Sequence, residues 1–91
     1  MKINEVIFTD SLPKLDLHGF DRDTARVAIN DFINDNIRMG NEIITVVHGI
    51  GTGIIRETTV QTLKKSKYVE EFKNDYFNRG CMIVKLKSEF L

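Results

Sequence analysis

The sequence has few residues that cross-link or interrupt a chain. Its 91 residues include one cysteine, one proline and no tryptophan. A single cysteine excludes an intramolecular disulfide and a zinc-finger ligand set. No apolar run approaches the roughly 18 residues needed to span a bilayer. The N-terminus also lacks the basic and apolar stretches of a secretory signal, so we expect a cytoplasmic protein without membrane contact.

The chain also has no net charge, because 13 basic residues balance 13 acidic ones. Neutrality argues against strong indiscriminate binding to nucleic acid. The charges are nevertheless uneven: residues 1–53 hold 5 basic and 8 acidic side chains, whereas residues 54–91 hold 8 basic and 5 acidic ones. The basic half is consistent with a local anion-binding face and equally with a solvated surface.

The hydrophobic pattern predicts one small α/β domain with the order β-α-β-α-β-β. A strand-helix-strand crossover is almost always parallel, so we expect a mixed, mainly parallel sheet with two helices. Residues 1–12 lack a clear period and are interpreted as an arm that packs on the domain, residues 13–91, or on a partner. The predicted elements are strands at 14–18, 42–47, 69–75 and 82–87, a helix ending before Gly40, and a helix at 54–65.

Each of the two histidines follows a strand-like run and precedes a glycine. Asp16 and His18 alternate with Leu15 and Leu17, so they share the polar face of the first strand. A carboxylate beside an imidazole can orient it, raise its pKa or help to hold a divalent metal. The alternative is a polar pair that hydrogen-bonds the neighbouring loop. We expect both histidines at the carboxyl ends of neighbouring parallel strands, where open α/β sheets bind ligands.

The second histidine opens a run with three glycines at alternate positions, residues 48–53. Glycine lets a backbone approach a ligand closely, and a helix N-terminus directly after such a loop favours a phosphate. Arg56, in the first turn of that helix, can donate two charged hydrogen bonds from its guanidinium group to the same anion. The spacing matches neither a dinucleotide-binding fingerprint nor a P-loop, and the alternative is a tight strand-to-helix turn.

Aromatic and basic residues alternate near the C-terminus. Aromatic side chains among basic ones can stack on bases while the cations follow a phosphate backbone, although core packing explains at least Phe72. Cys81 enters the last strand and is expected to be a small buried residue. The segment contains Tyr68, Phe72, Tyr76 and Phe77 among Lys67, Lys73 and Arg79.

Because of its two His-Gly motifs, the chain resembles the Smr (small MutS-related) domain family and is interpreted as a stand-alone member. The family's Leu-Asp-Leu-His/Arg-Gly motif is matched by Leu15 to Gly19. Its His-Gly-x-Gly-x-Gly-x-Leu-Arg motif is matched by His48 to Arg56, with Ile55 for the leucine. Ile50 stands where the family often has lysine, and the last hairpin keeps only residues 78–80 of a longer glycine-rich loop.

The resemblance implies a two-layer α/β sandwich similar to the C-terminal domain of translation initiation factor three. It also implies binding of DNA or RNA, with nicking or RNA cleavage in some members, and a link to repair, recombination or ribosome rescue. By position, Asp16 and His18 match the pair associated with cleavage. The matched nucleic-acid-binding loop comprises His48, Gly49, Gly51, Thr52, Gly53 and Arg56, with Arg79 as a compensating cation.

Three hypotheses therefore follow from the sequence. The first is a nucleic-acid-binding domain that also cleaves the backbone as an endonuclease, with magnesium or manganese as the candidate metal. The second is recognition without chemistry. The third is a protein-interaction module whose arm, residues 1–12, docks on a larger repair or ribosomal partner. The sequence does not distinguish DNA from RNA or predict an oligomeric state.

Overall fold

The computed structural model describes residue 3 and residues 11–91. The order of elements is the expected one, β-α-β-α-β-β, followed by a short 3-10 turn at Ser88–Phe90. The remainder of the expected arm, residues 1–2 and 4–10, lies outside the described residues. The elements are β1 (Lys14–Asp16), α1 (Arg22–Met39), β2 (Ile43–Val47), α2 (Ile54–Lys65), β3 (Val69–Asn74) and β4 (Cys81–Leu86).

Both ends of α1 are set by local residue chemistry. The carboxylate of Asp21 accepts the backbone N–H of Thr24 at 2.8 Å, and this bond lowers the pKa of Asp21. Gly40 ends the helix in the left-handed conformation, with φ 75°, and its N–H is bonded to the carbonyls of Asn36 and Ile37. Within the described residues, neither α1 nor α2 is long and apolar enough to cross a membrane.

The four strands form one mixed sheet in the order β1-β2-β4-β3. β1 and β2 pair in parallel, as expected from the intervening helix, whereas β4 runs antiparallel to both β2 and β3. Three strands therefore point the same way, and β4 is inserted between two of them. Asp16 lies opposite Val47, and Val47 lies opposite Cys81, so these three strand ends are level with one another.

The core lies between the helices and one face of the sheet. Its residues are buried, and each Val, Leu, Ile or Met side chain among them contributes about 1.5–3 kcal/mol of transfer free energy. On the opposite face, Ile43 and Ile83 pack with Ile3 and Leu12, two described residues of the arm. Coverage on both faces explains why β2 is apolar almost throughout. The helix-side core comprises Leu17, Ala25, Ile29, Ile33, Ile44, Val46, Leu63, Val69, Met82, Val84 and Leu86.

Candidate functional site

Three connecting segments meet where β1, β2 and β3 end and β4 begins. We call this region the loop end of the sheet, and it comprises residues 17–20, residues 48–53 together with the first turn of α2, and residues 75–80. The N–H of Leu17 donates to the carbonyl of Val47 at 2.9 Å, which joins the first segment to β2. The carbonyl of Gly80 accepts the N–H groups of His48 at 2.8 Å and Gly49 at 3.0 Å, which joins the second segment to the third.

Asp16 shapes the turn that carries His18. Its carboxylate accepts the backbone N–H of His18 at 2.9 Å. The sequence left two possibilities open for Asp16, a pair with the His18 imidazole or a hydrogen bond to the neighbouring loop. The structure shows a hydrogen bond to the loop backbone. Both side chains are exposed, and Gly19 completes the turn with φ 77°. The imidazole of His18 is therefore accessible, on a turn fixed by its neighbour.

His48 has a different environment, because its side chain is only 8% exposed. Its Nδ1–H donates to the carbonyl of Gly49 at 2.7 Å, which fixes the start of the glycine loop. Among the described residues, Nε2 is buried and has no hydrogen-bond partner. Burial lowers the pKa of His48 and outweighs the hydrogen bond to Gly49, which raises it, and the nearby charge of Arg56 lowers it further. The imidazole is a packed part of the loop.

The segment from Gly49 to Gly53 is exposed along its whole length. Gly49 and Gly53 have φ values of 79° and 90°, in the left-handed region that a side chain disfavours. Gly53 caps α2 without any side-chain hydrogen bond. The first backbone N–H groups of α2 therefore donate no hydrogen bond to a capping side chain. The loop before them has glycine, which lacks a side chain, at every second position.

Two exposed arginines lie at the loop end. Arg56 is in the first turn of α2, and Arg79 is in the β3–β4 turn. Within the part of the chain that is described, neither forms an ion pair. By contrast, Arg26 and Arg38 on α1 pair with acidic residues one turn away. The two arginines at the loop end keep their hydrogen-bond donors available to an external anion.

The β3–β4 turn also presents two aromatic rings to solvent. Tyr76 is 86% exposed and Phe77 is 68% exposed, and their ring centroids lie 5.0 Å apart in an edge-to-face arrangement. By contrast, Phe72 and Tyr68 pack against the core, as expected for Phe72. The sequence signal that distinguishes the two pairs is position, because Tyr76 and Phe77 fall between the strands and outside their alternation.

The donors available for a metal are sparse. Among the residues that the structure describes, no three His, Cys, Asp or Glu side chains converge on one point. Asp16 and His18 offer one carboxylate and one imidazole. A hard cation bound here would take most of its ligands from water and from phosphate oxygens, as Mg²⁺ commonly does.

A polar groove of about 530 Å³ between α1 and α2 was not foreseen from the sequence. Its lining mixes both signs of charge, so it does not present a uniform face to a polyanion. The residues that line it are Asp21, Arg22, Asp23, Arg26, Asn30, Thr58, Gln61, Thr62, Lys65 and Ser66.

The family model for the Smr domain matches residues 15–87, which include both histidine-glycine motifs and all four strands except the first residue of β1. The chain belongs to the Smr domain family. The expected resemblance is thus confirmed.

Relatives support the same membership. The chain is 31% identical over 81 residues to a protein named Endonuclease MutS2 from Alkaliphilus metalliredigens, covering 86% of this chain and 10% of that protein. It is 39% identical over 77 residues to Endonuclease MutS2 from Lactobacillus helveticus, covering 81% of this chain and 10% of that protein. The chain therefore spans about a tenth of the length of these relatives.

Two solved structures share the fold. The Smr domain of Thermus thermophilus MutS2 superposes with a TM-score of 0.81 at 24% identity, covering 84% of this chain and 99% of that one. YdaL, a stand-alone small MutS-related protein from Escherichia coli, superposes with a TM-score of 0.82 at 18% identity, covering 93% of this chain and 74% of that one. The expected α/β class, with two helices and a mixed sheet, is confirmed.

Proposed function

We propose that the loop end of this Smr domain binds DNA or RNA. The observation that carries the proposal is the coincidence, at one end of the sheet, of an exposed glycine loop, a helix start without a side-chain cap, and two exposed arginines that form no ion pair with the described residues. Backbone N–H groups at a helix N-terminus, together with guanidinium groups, are suited to phosphate oxygens. Membership of a family whose relatives include proteins named endonucleases supports the same assignment.

The roles differ along the proposed interface. Gly49, Gly51 and Gly53 let the phosphate approach the backbone, and the exposed Thr52 adds a hydroxyl donor. Arg56 and Arg79 supply the charge. His48 acts through the shape of the loop, because its buried imidazole holds the Gly49 carbonyl. It is therefore a positioning residue in the proposal.

Backbone cleavage is the second part of the proposal. His18, exposed on its turn, would accept the proton of an attacking hydroxyl as the new P–O bond forms and the leaving P–O bond breaks. The leaving oxygen would take its proton from solvent. Arg56 and the loop N–H groups would stabilise the charge that develops on the phosphate. Asp16 holds the turn and would share a bound Mg²⁺ or Mn²⁺.

A single set of titrations tests binding and cleavage together. Labelled single-stranded RNA, duplex DNA and branched DNA are titrated at two salt concentrations, and the same samples are run on a denaturing gel with and without Mg²⁺ or Mn²⁺. We expect salt-sensitive binding. Absence of binding to all three ligands at low salt would contradict the proposed function.

Variants in the turn between β1 and α1 distinguish a role in cleavage from a role in holding the turn. We expect His18→Ala to abolish cleavage with little change in affinity, because the side chain is exposed. Asp16→Asn keeps an oxygen that can accept the His18 N–H, whereas Asp16→Ala does not. If Asp16 only positions the turn, Asp16→Asn retains cleavage and Asp16→Ala loses it. Loss in both variants indicates that the negative charge is needed, and normal cleavage by His18→Ala would refute the assignment of His18.

Recognition without chemistry is the alternative, and one observation favours it: the carboxylate of Asp16 contacts the backbone of His18 and not its imidazole. On this alternative, affinity and salt dependence persist and no strand is cut under any metal condition. The cytoplasmic location, a larger repair or ribosomal partner, and the division into an arm (residues 1–12) and a domain (residues 13–91) also remain proposals.

A further inference from the structure

We propose that Tyr76 and Phe77 form a base-stacking platform that makes the loop end selective for single-stranded nucleic acid. This inference rests on the proposed function, because it concerns the same interface. It adds the form of nucleic acid that is bound and assigns a second contact surface, one that recognises bases and not phosphates.

The aromatic pair is exposed on a turn that the backbone holds firmly. The carboxylate of Asp75 accepts the N–H of Phe77 at 3.1 Å, and the side-chain carbonyl of Asn78 accepts the N–H of Gly80 at 2.9 Å. The N–H groups of Asp75 and Cys81 are bonded to the carbonyls of Cys81 and Asn78, at 2.9 and 3.1 Å. A constrained turn thus displays two large rings that contribute little to the core, which is typical of a binding surface.

The turn is also fixed against the proposed phosphate-binding loop. A methyl group added at Gly80 would come within 3.1 Å of the Cα and carbonyl carbon of Gly49, so the two backbones are in close contact. The carbonyl of Gly80 accepts the N–H groups of His48 and Gly49 as well. The aromatic rings and the glycine loop therefore belong to one continuous end of the molecule.

The positive charges of two arginines favour a negatively charged ligand at this end of the molecule. Arg79 follows the aromatic pair by two residues, is exposed and makes no ion pair among the described residues. Across the Gly80–Gly49 contact, Arg56 adds a second exposed cation. Exposed rings and exposed arginines at one end of the molecule suit a strand whose phosphates are negative and whose bases have open faces. In a duplex the bases are already stacked on each other, so only unpaired bases can use the rings.

The experiment compares three labelled ligands of the same length by fluorescence anisotropy: a single-stranded 12-mer, its duplex, and an abasic 12-mer that keeps the phosphates. We expect wild-type protein to prefer the single strand over both others. Replacing either ring by alanine should weaken single-strand binding by at least about fivefold, and the Tyr76→Ala/Phe77→Ala variant should lose the preference. Residual binding to all three ligands would then reflect the phosphate contacts alone.

The matched control is Met39→Ala, at the end of α1, whose side chain is 64% exposed and lies outside the loop end. Equal affinity of wild type and the double variant for the single strand would overturn the platform but leave the proposed function intact, and would indicate that the rings serve another partner. No binding of any ligand by wild type would overturn both. Thermal unfolding of the double variant, expected to match wild type, shows that the comparison is between folded proteins.

A second readout uses the absence of tryptophan from the chain. Phe77→Trp places one indole at the platform. We expect its emission to be quenched by the single-stranded 12-mer and unchanged by the abasic 12-mer. Unchanged emission while anisotropy reports single-strand binding would contradict stacking at this position.

Discussion

At the scale of single residues, the two histidines show how one local pattern leads to two environments. Both follow a strand and precede a glycine with positive φ. His18 lies on a turn at the edge strand of the sheet and is exposed, whereas His48 follows the internal strand β2 and is packed. The position of the preceding strand in the sheet accounts for this difference, and the proposal accordingly gives cleavage to His18 and loop shape to His48.

The burial of His48 predicts a specific pH dependence of stability. Its pKa in the folded state is below the ordinary value of about 6.5 that it has when unfolded. Between these two values the unfolded chain binds more protons, so stability rises with pH through this window and levels off above about 6.5. The slope from this group is at most about 1.4 kcal/mol per pH unit.

Denaturant unfolding between pH 5 and pH 8 checks this prediction. His48→Gln should remove this contribution, whereas the control His18→Gln should keep it because that side chain is exposed. An unaltered pH profile in His48→Gln would show that the imidazole is solvated in the folded state.

Cys81 yields a second prediction at this scale. Its side chain is 1% exposed, and burial, followed by the charge of Asp75, raises the pKa of the thiol to about 11. The reactive thiolate is therefore scarce and shielded at pH 8. We expect no labelling by iodoacetamide in the native state and full labelling in denaturant. Rapid labelling under native conditions, measured by mass spectrometry, would contradict this account.

At the scale of elements, the loop from β2 to α2 depends on two of its three glycines. Gly49 and Gly53 have positive φ, whereas Gly51 does not. Replacing Gly49 or Gly53 by alanine should lower the free energy of unfolding by about 1–2 kcal/mol, because the left-handed conformation is unfavourable for a residue with a side chain. A methyl group added at any of the three positions would meet open space, so steric crowding does not contribute.

Gly51→Ala is the internal control for this comparison, because it adds the same methyl group to the same loop. We expect it to be closer to wild type in urea unfolding than either Gly49→Ala or Gly53→Ala. Equal losses in all three variants would show that the loop depends on something other than backbone conformation.

The elements themselves were largely predictable from the sequence. The bounds of α2 agree with the prediction, and Asp21 and Gly40 limit α1 as their chemistry predicts. β1 is shorter than expected because the Asp16 side chain starts a turn at His18. Hydrophobic periodicity specifies which residues face the core, but local side-chain contacts decide where a short strand ends.

At the scale of the whole molecule, strand order is what creates the site. β4 lies between β2 and β3, which brings the β3–β4 turn against the loop that follows β2. No local pattern in the sequence specifies this insertion. The contact between Gly80 and Gly49 and the burial of His48 depend on it, so neither could be predicted from the sequence alone.

The same topology places two exposed arginines at one end of a chain that has no net charge. Arg56 and Arg79 lie at the loop end, whereas Lys64 and Lys65 lie in the last turn of α2, at the opposite end of that helix. Arg56 and Lys64 are eight residues apart on α2, which is about 12 Å along the helix axis and exceeds the screening length of about 8 Å at physiological salt. Position, and not total charge, should therefore decide which cations contribute to binding.

The most direct measurement is the salt dependence of single-stranded RNA binding by Arg56→Ala/Arg79→Ala, compared with Lys64→Ala/Lys65→Ala. Both variants lose two positive charges. The account predicts that the arginine variant binds more weakly, with a slope of log K against log salt about 1.4 smaller in magnitude, since each lost phosphate contact removes about 0.7. The lysine variant should keep nearly the wild-type slope. Equal slopes in the two variants would contradict the assignment of the loop end as the nucleic-acid site.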